Sequence, residues 1–176
     1  MKIYLDTLRR VREHEDNRLF GIRMDIDISN NFPLVTTRYI NSTTVIQKTT
    51  ELLNNSHFTF ILDNVLTKPV SFIDGYNHYQ FFLFDGSIHC NVYYRKCEMY
   101  TDGPIYIGVS ALLVYMIAYA VNNKPGWIHV ITGDTYVSNE HLTNVDKQLE
   151  QTPYPLCNLC IKRIGVVIKN YMYIKE

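Results

Sequence analysis

Residues 107–121, reading IGVSALLVYMIAYAV, are almost continuously apolar, and no other stretch constrains the fold as much. At about 15 residues the run is too long for a strand, which typically stops near 8, so it reads as a helix. Asn122-Asn123 end it, with Pro125 and Gly126 just beyond. A helix that is apolar on every side must be buried on every side, so other elements have to flank it. With 176 residues, 47% of them hydrophobic, the chain holds enough material for one domain over 1–176 with such a core, and no room for two.

Strands supply the flanks. Between Leu19 and Ile28 the residues Phe20, Ile22, Met24, Ile26 and Ile28 alternate with Gly21, Arg23, Asp25 and Asp27, the pattern of a half-buried strand. Tyr79 to Phe84, the dipeptide Asp85-Gly86 and Ile88 to Lys96 form the strongest hairpin signal, a DG turn between aromatic-rich strands. Phe58, Phe60 and Leu62 alternate and predict another strand, whereas residues 65–74, interrupted by Pro69, read as a loop. Further strands are expected over Trp127 to Thr132 and in Leu159 to Ile168. Helices are expected over Ile3 to Glu15, Thr43 to Leu53 and Ser138 to Glu150, the last broken by Pro153 and Pro155. Phe32 to Ile40 is expected to be extended.

Composition removes several classes of function. Seventeen Lys plus Arg balance seventeen Asp plus Glu, so no net positive field is present to neutralise DNA or RNA. A small anion held by a few local donors remains compatible with that balance. No stretch reads as a membrane span or signal peptide, and the expected location is the cytoplasm. Abundant Asn, Ile, Lys and Tyr, with fourteen tyrosines, point to an AT-rich genome of the viral or low-GC bacterial kind, hence a host cytoplasm if viral. Four cysteines, Cys90, Cys97, Cys157 and Cys160, are too unevenly spaced for a secreted disulfide scaffold. Cys157 and Cys160 have zinc-knuckle spacing, but there is one such pair only, so no metal site is expected. His78 and Asp74 offer acid-base groups with no partner motif.

Five collinear segments carry a family resemblance: FPLVTTR (32–38), the strand ending CNVYYR (90–95), GPIYIGVSALLVYMIAY (103–119), KPGWIHVITGDTYVSNEH (124–141) and QLEQTPYPLCNLCIKR (148–163). In order and spacing they resemble thymidylate synthase. The resemblance implies an α+β fold, a curved mixed or antiparallel sheet with the apolar helix buried against it and helices on one face. It also implies a dimer through the other sheet face, to which the apolar side of 20–28 and the aromatic strands are expected to contribute.

The resemblance also implies what the chemistry needs and where this chain departs from it. The family works through a cysteine thiolate that adds to a pyrimidine ring; counting back from Gln80, that position is Gly75, so no catalytic residue is assigned. The arginine of the family's glutamine-arginine-serine motif falls on Arg95, with Lys96 in place of the serine, and Arg18 matches the arginine of an N-terminal loop. The arginine pair contributed across the dimer falls on Asn55-Ser56. The asparagine that reads the base corresponds to Tyr106, and the ribose-contacting histidine and tyrosine correspond to Tyr136 and Ser138. The catalytic glutamate aligns near Lys48, with Glu51 one turn away. Asp134 is retained, and Glu98 stands where the family has an aspartate. The folate-contacting insertion and C-terminal tail are absent, so no cofactor is expected.

The resulting expectation is a divergent homologue without thymidylate synthase activity. It would hold a nucleotide-like or other small anionic ligand at Arg18, Arg95, Lys96, Tyr106, Asp134, Tyr136 and Ser138. Two alternatives stand beside it. One is an active pyrimidine C5 methyl- or hydroxymethyltransferase with its nucleophile moved to Cys90 or Cys97. The other is a structural or regulatory partner with no ligand, pairing with itself or with a genuine synthase.

Overall fold

The computed structural model describes residues 1–53, 56–162, 165–169 and 172–174. Helix α1 (Lys2–Glu13) leads into β1 (Arg18–Asp27), followed by an extended segment, α2 (Ser42–Leu53) and α3 (Ser56–Asn64). Strands β2 (Val70–Asp74), β3 (Asn77–Phe84) and β4 (Ser87–Glu98) come next, then α4 (Asp102–Ala120) and β5 (Lys124–Tyr136). A one-turn 3-10 helix at Asn139–His141, α5 (Leu142–Leu149) and the pair β6 (Asn158–Lys162) and β7 (Gly165–Lys169) complete the order.

Five strands form one mixed sheet in the order β1-β5-β4-β3-β2, with β4 and β5 parallel and the other neighbours antiparallel. The architecture is therefore α+β, as the resemblance implies. Register explains the core. Met24 lies beside Val130, Val130 beside Val92, Val92 beside Tyr79 and Tyr79 beside Phe72, so one apolar row crosses all five strands. Ile26, Ile128, Cys90, Phe81 and Val70 form a second row. These side chains are buried. Helix α4 packs over β4 and β5 and against α2, while α1 covers β1.

Helix α4 is long and apolar enough to cross a membrane by length and composition, more so than the sequence reading allowed, yet most of that window is buried inside the protein. Ile107, Val109, Leu112, Leu113, Val114 and Ile117 lie in the common core. The helix starts at Asp102, earlier than its apolar run, because Asp102 in the first turn favours the positive helix end.

Several expectations change. Residues 56–64 are helical, because the spacing that counts is Ile61 to Val65, both buried, while Phe60 is half-exposed. Residues 70–74, expected to be loop, form edge strand β2; Pro69 stops just outside it and interrupts no ladder bond. The final strand region is two strands, β6 and β7, paired antiparallel. The apolar side of β1 also faces inward, with Ile22, Met24 and Ile26 buried, so the outer sheet face of β1 carries Arg23, Asp25 and Asp27 instead. Phe20 leaves that alternation: Gly21 sits at φ +69, which turns the strand and leaves Phe20 82% exposed.

Candidate functional site

The parallel strands β4 and β5 end side by side, with Lys96 opposite Asp134 and Glu98 opposite Tyr136. Phe20 of β1 lies on the far side of Asp134. The turn between β2 and β3 and the first turns of α4 close the other walls. An open cavity of about 940 Å³ results, lined by Phe20, Tyr76, Tyr93, Tyr106 and by Asp74, Gly75, Asn77, Arg95, Lys96 and Asp134. A smaller cavity of about 330 Å³ shares Asp74, Asn77 and Tyr106 and adds Lys48, Glu51, Leu52, Tyr79 and Val109.

Tyr106 forms part of the wall without plugging the space. Its ring stacks flat on Tyr94, with centroids 4.0 Å apart and planes 5° from parallel. Tyr94 is fully buried and belongs to a small polar network: its hydroxyl lies 2.8 Å from Ser110 Oγ, Tyr79 donates to it at 3.2 Å, and Ser110 donates to the Tyr106 carbonyl. The phenols therefore stay neutral. Burial pushes Tyr106 up to about 12 and Tyr94 well above the ordinary phenol value.

The cations of the cleft rest on rings. The Arg95 guanidinium lies 4.4 Å over Tyr76, and the Lys96 ammonium lies 4.7 Å over Tyr136. Arg18 grips Asp134 with a fork, Nε to Oδ1 at 2.6 Å and Nη2 to Oδ2 at 2.7 Å. That bond holds the Asp134 carboxyl below the usual range, with Lys96 adding to the effect. The expected ligand residues Arg18 and Asp134 thus meet each other, which cancels one charge of each sign at the rim. Arg95 and Lys96 remain the cations facing the cavity. Tyr136 reaches it through Lys96, whereas Ser138 is held elsewhere, its N–H donated to Glu98 Oε1 at 3.0 Å.

Glu98 is a structural carboxylate. It is buried and also accepts the backbone N–H and hydroxyl of Thr101 at the start of α4, so it ties that helix to the segment after β5. His141 stands 3.5 Å from the same carboxylate. His78 lies on β3 away from the cavity walls, while Asp74 lines both cavities.

The family profile described as thymidylate synthase matches residues 70–174, more than half of the chain and including β2 to β5 with the cleft between them. This chain belongs to the thymidylate synthase family. It is 33% identical over 95 residues to a thymidylate synthase of Baumannia cicadellinicola subsp. Homalodisca coagulata, covering 54% of this chain and 36% of that protein. It is 36% identical over 85 residues to the thymidylate synthase of Mycoplasma pneumoniae, covering 48% and 29%. It is also 37% identical over 92 residues to the bifunctional dihydrofolate reductase-thymidylate synthase of Plasmodium chabaudi, covering 52% and 15%. The aligned parts thus span little more than a third of these relatives at most.

Within this thymidylate synthase frame, Gly75 has a physical reason to be glycine. Asp74 pairs with Asn77, so Gly75 and Tyr76 are the two central residues of a tight hairpin, and Gly75 has φ +57. Positive φ at the first central position suits a II′ turn and disfavours any residue with a Cβ. A side chain there would meet nothing within 4 Å, so the strain is in the backbone alone. The alternative nucleophiles fare no better: Cys90 and Cys97 are buried, and desolvation raises both thiols far above the range of a reactive thiolate. Cys157 is buried against the Phe32 carbonyl, and no cluster of three metal-ligating side chains occurs among the described residues. Asn55 of the expected cross-dimer pair, and the Ser56 side chain, lie outside the described residues.

Sequence reasoning missed Phe20, Asn77 and Tyr93 as cleft residues. The signal for Phe20 was Gly21, a glycine inside an alternating strand. For Asn77 it was its place closing a two-residue turn.

Proposed function

We propose that this thymidylate synthase homologue binds a nucleotide-like or other small anionic ligand without carrying out thymidylate synthesis. The observation that supports this reading is the combination at the strand ends: Arg95 and Lys96 border an open, tyrosine-walled cavity, while the position of the family thiolate is a glycine at positive φ. Guanidinium and ammonium groups recognise a phosphate, and tyrosine rings supply faces for a planar base. To engage phosphate oxygens with its full fork, Arg95 exchanges its stacking on Tyr76 for charged hydrogen bonds. Electron density at a pyrimidine C5 would have to be raised by a covalent nucleophile, and neither Gly75 nor the buried Cys90 and Cys97 supplies one.

Two further parts of the reading concern partners and place. The partner is a second copy of the chain across the outer sheet face, where Phe84, Trp127 and Tyr93 are exposed beside Phe82 and Ile131. A heterodimer with a genuine synthase would use the same face. The protein acts in the cytoplasm, of the host if it is viral.

The test is a thermal-shift panel of nucleoside monophosphates and inorganic phosphate against the wild type and the Arg95→Ala/Lys96→Ala double variant. A ligand at about 100 times its Kd raises stability by roughly 2.7 kcal/mol, which is readily seen. Stabilisation of the wild type that vanishes in the double variant supports the reading. An unshifted wild type across the panel, or shifts that survive in the double variant, contradicts it.

A further inference from the structure

The two cavities differ in electrostatic character, and the difference narrows the ligand class. The large one presents Arg95 and Lys96, with Asp134 already neutralised by Arg18. The small one presents Glu51 and Asp74 with a single cation, Lys48. Lys48 and Glu51 are three residues apart on α2, hence on one face of that helix, and offset each other. Asp74 lies at the junction, lining both cavities together with Asn77 and Tyr106, and has no ion pair or side-chain hydrogen bond among the described residues.

An ionised carboxylate only accepts hydrogen bonds. A ring passing from the large cavity toward the small one therefore has to present a donor at Asp74. Tyr106 supports such a ring: one of its faces is occupied by Tyr94, and the half-buried remainder borders both cavities. A planar ring stacked there extends the Tyr94–Tyr106 pair by one member. Asn77 beside Asp74 can donate or accept and so meets a neighbouring ring nitrogen or carbonyl.

We infer that the ligand is a nucleotide with an amino-substituted base, of the cytosine or adenine kind, its phosphate at Arg95 and Lys96 and its exocyclic amine at Asp74. This rests on the anion-binding reading above and adds the choice of base. A uracil or thymine ring seated the same way would turn its C4 carbonyl oxygen, in place of the exocyclic amine, toward the Asp74 carboxylate, so that two acceptors face each other.

Calorimetric titration of the full chain with CMP, AMP, UMP, TMP and ribose 5-phosphate tests the inference. CMP or AMP is expected to bind roughly tenfold more tightly than UMP or TMP, the scale of one unmatched polar contact. Asp74→Asn is expected to abolish that preference while keeping ribose 5-phosphate binding; Asp74 is exposed at a turn, so the variant folds. UMP binding as tightly as CMP and AMP, or an undiminished preference in Asp74→Asn, overturns the choice of base and leaves the anion site standing. If none of the five binds, ribose 5-phosphate included, the anion-binding reading itself fails.

Discussion

The buried face of the sheet and the ends of its parallel strands are built from the same β4 and β5, yet they obey different rules. On the buried face Tyr79, Tyr94, Ser110 and the Tyr106 carbonyl satisfy one another beneath α4. At the strand ends, one and two residues beyond Tyr94, Arg95 and Lys96 rest on exposed or half-exposed tyrosine rings. Groups locked to one another hold a frame. Cations parked on rings are cheap to move, because a surface cation–π contact is worth only about 0.5–1 kcal/mol. In the proposed reading the frame is kept and the cleft serves reversible contacts.

Mutations can break that contrast in order of size. Tyr94→Ala removes a fully buried ring and strands its hydroxyl partners, and should cost about 3–5 kcal/mol in urea unfolding. Glu98→Ala leaves the backbone N–H groups of Thr101 and Ser138 without their acceptor. A loss of about 2–3 kcal/mol is expected by the same measurement, with little change in phosphate binding. If Glu98→Ala instead spared stability and abolished binding, Glu98 would belong to the cleft. Gly75→Ala should cost about 1 kcal/mol from its positive φ, with no steric contribution.

Smaller effects come from the outer face. His89 lies at an irregularity in the β4–β5 pairing, between Ile88 and Cys90, where its Nδ1 accepts the Trp127 N–H at 3.1 Å. Its ring packs over Gly126, where a Cβ would come within 2.6 Å of the imidazole. Burial lowers the His89 pKa and nearby His129 lowers it further, against the opposing pull of the Phe84 carbonyl, Asp27 and Asp85. The unfolded chain takes up a proton near pH 6.5 that the folded imidazole refuses. Stability from this source is complete above about pH 6.5 and declines as the pH falls below it. Melting temperatures at pH 7.5 and 5.5 should therefore differ less in His89→Gln, whose amide oxygen still accepts the bond, than in the wild type. Least of all, Arg18→Ala should leave stability unresolved from wild type, because the Arg18–Asp134 pair is solvent-exposed. It should weaken phosphate binding several-fold by unmasking the Asp134 charge.

Much of the frame was legible because its signals are local. The apolar run over 107–121 and the DG turn at 85–86 predict α4 and the β3–β4 hairpin from period and turn chemistry alone. Helix α3 and strand β2 are not legible in this way, because short apolar segments carry either period and tertiary packing decides between them. In the cleft, Arg95, Lys96, Tyr106 and Asp134 do come together. What sequence could not show is pairing in space: Arg18 lies 116 positions from Asp134, and their fork consumes two groups expected to face a ligand. Phe20 likewise follows from a single backbone angle at Gly21, which alternation cannot reveal.

In the proposed reading the thymidylate synthase frame persists here without its covalent chemistry. Intact-mass measurement after incubation with 5-fluoro-dUMP and methylene-folate tests it directly, since that pair traps a synthase thiolate as a covalent ternary adduct. The unmodified mass of 20.6 kDa is the expected result. A mass increased by nucleotide plus folate would contradict the account and return one of the buried cysteines to a catalytic role.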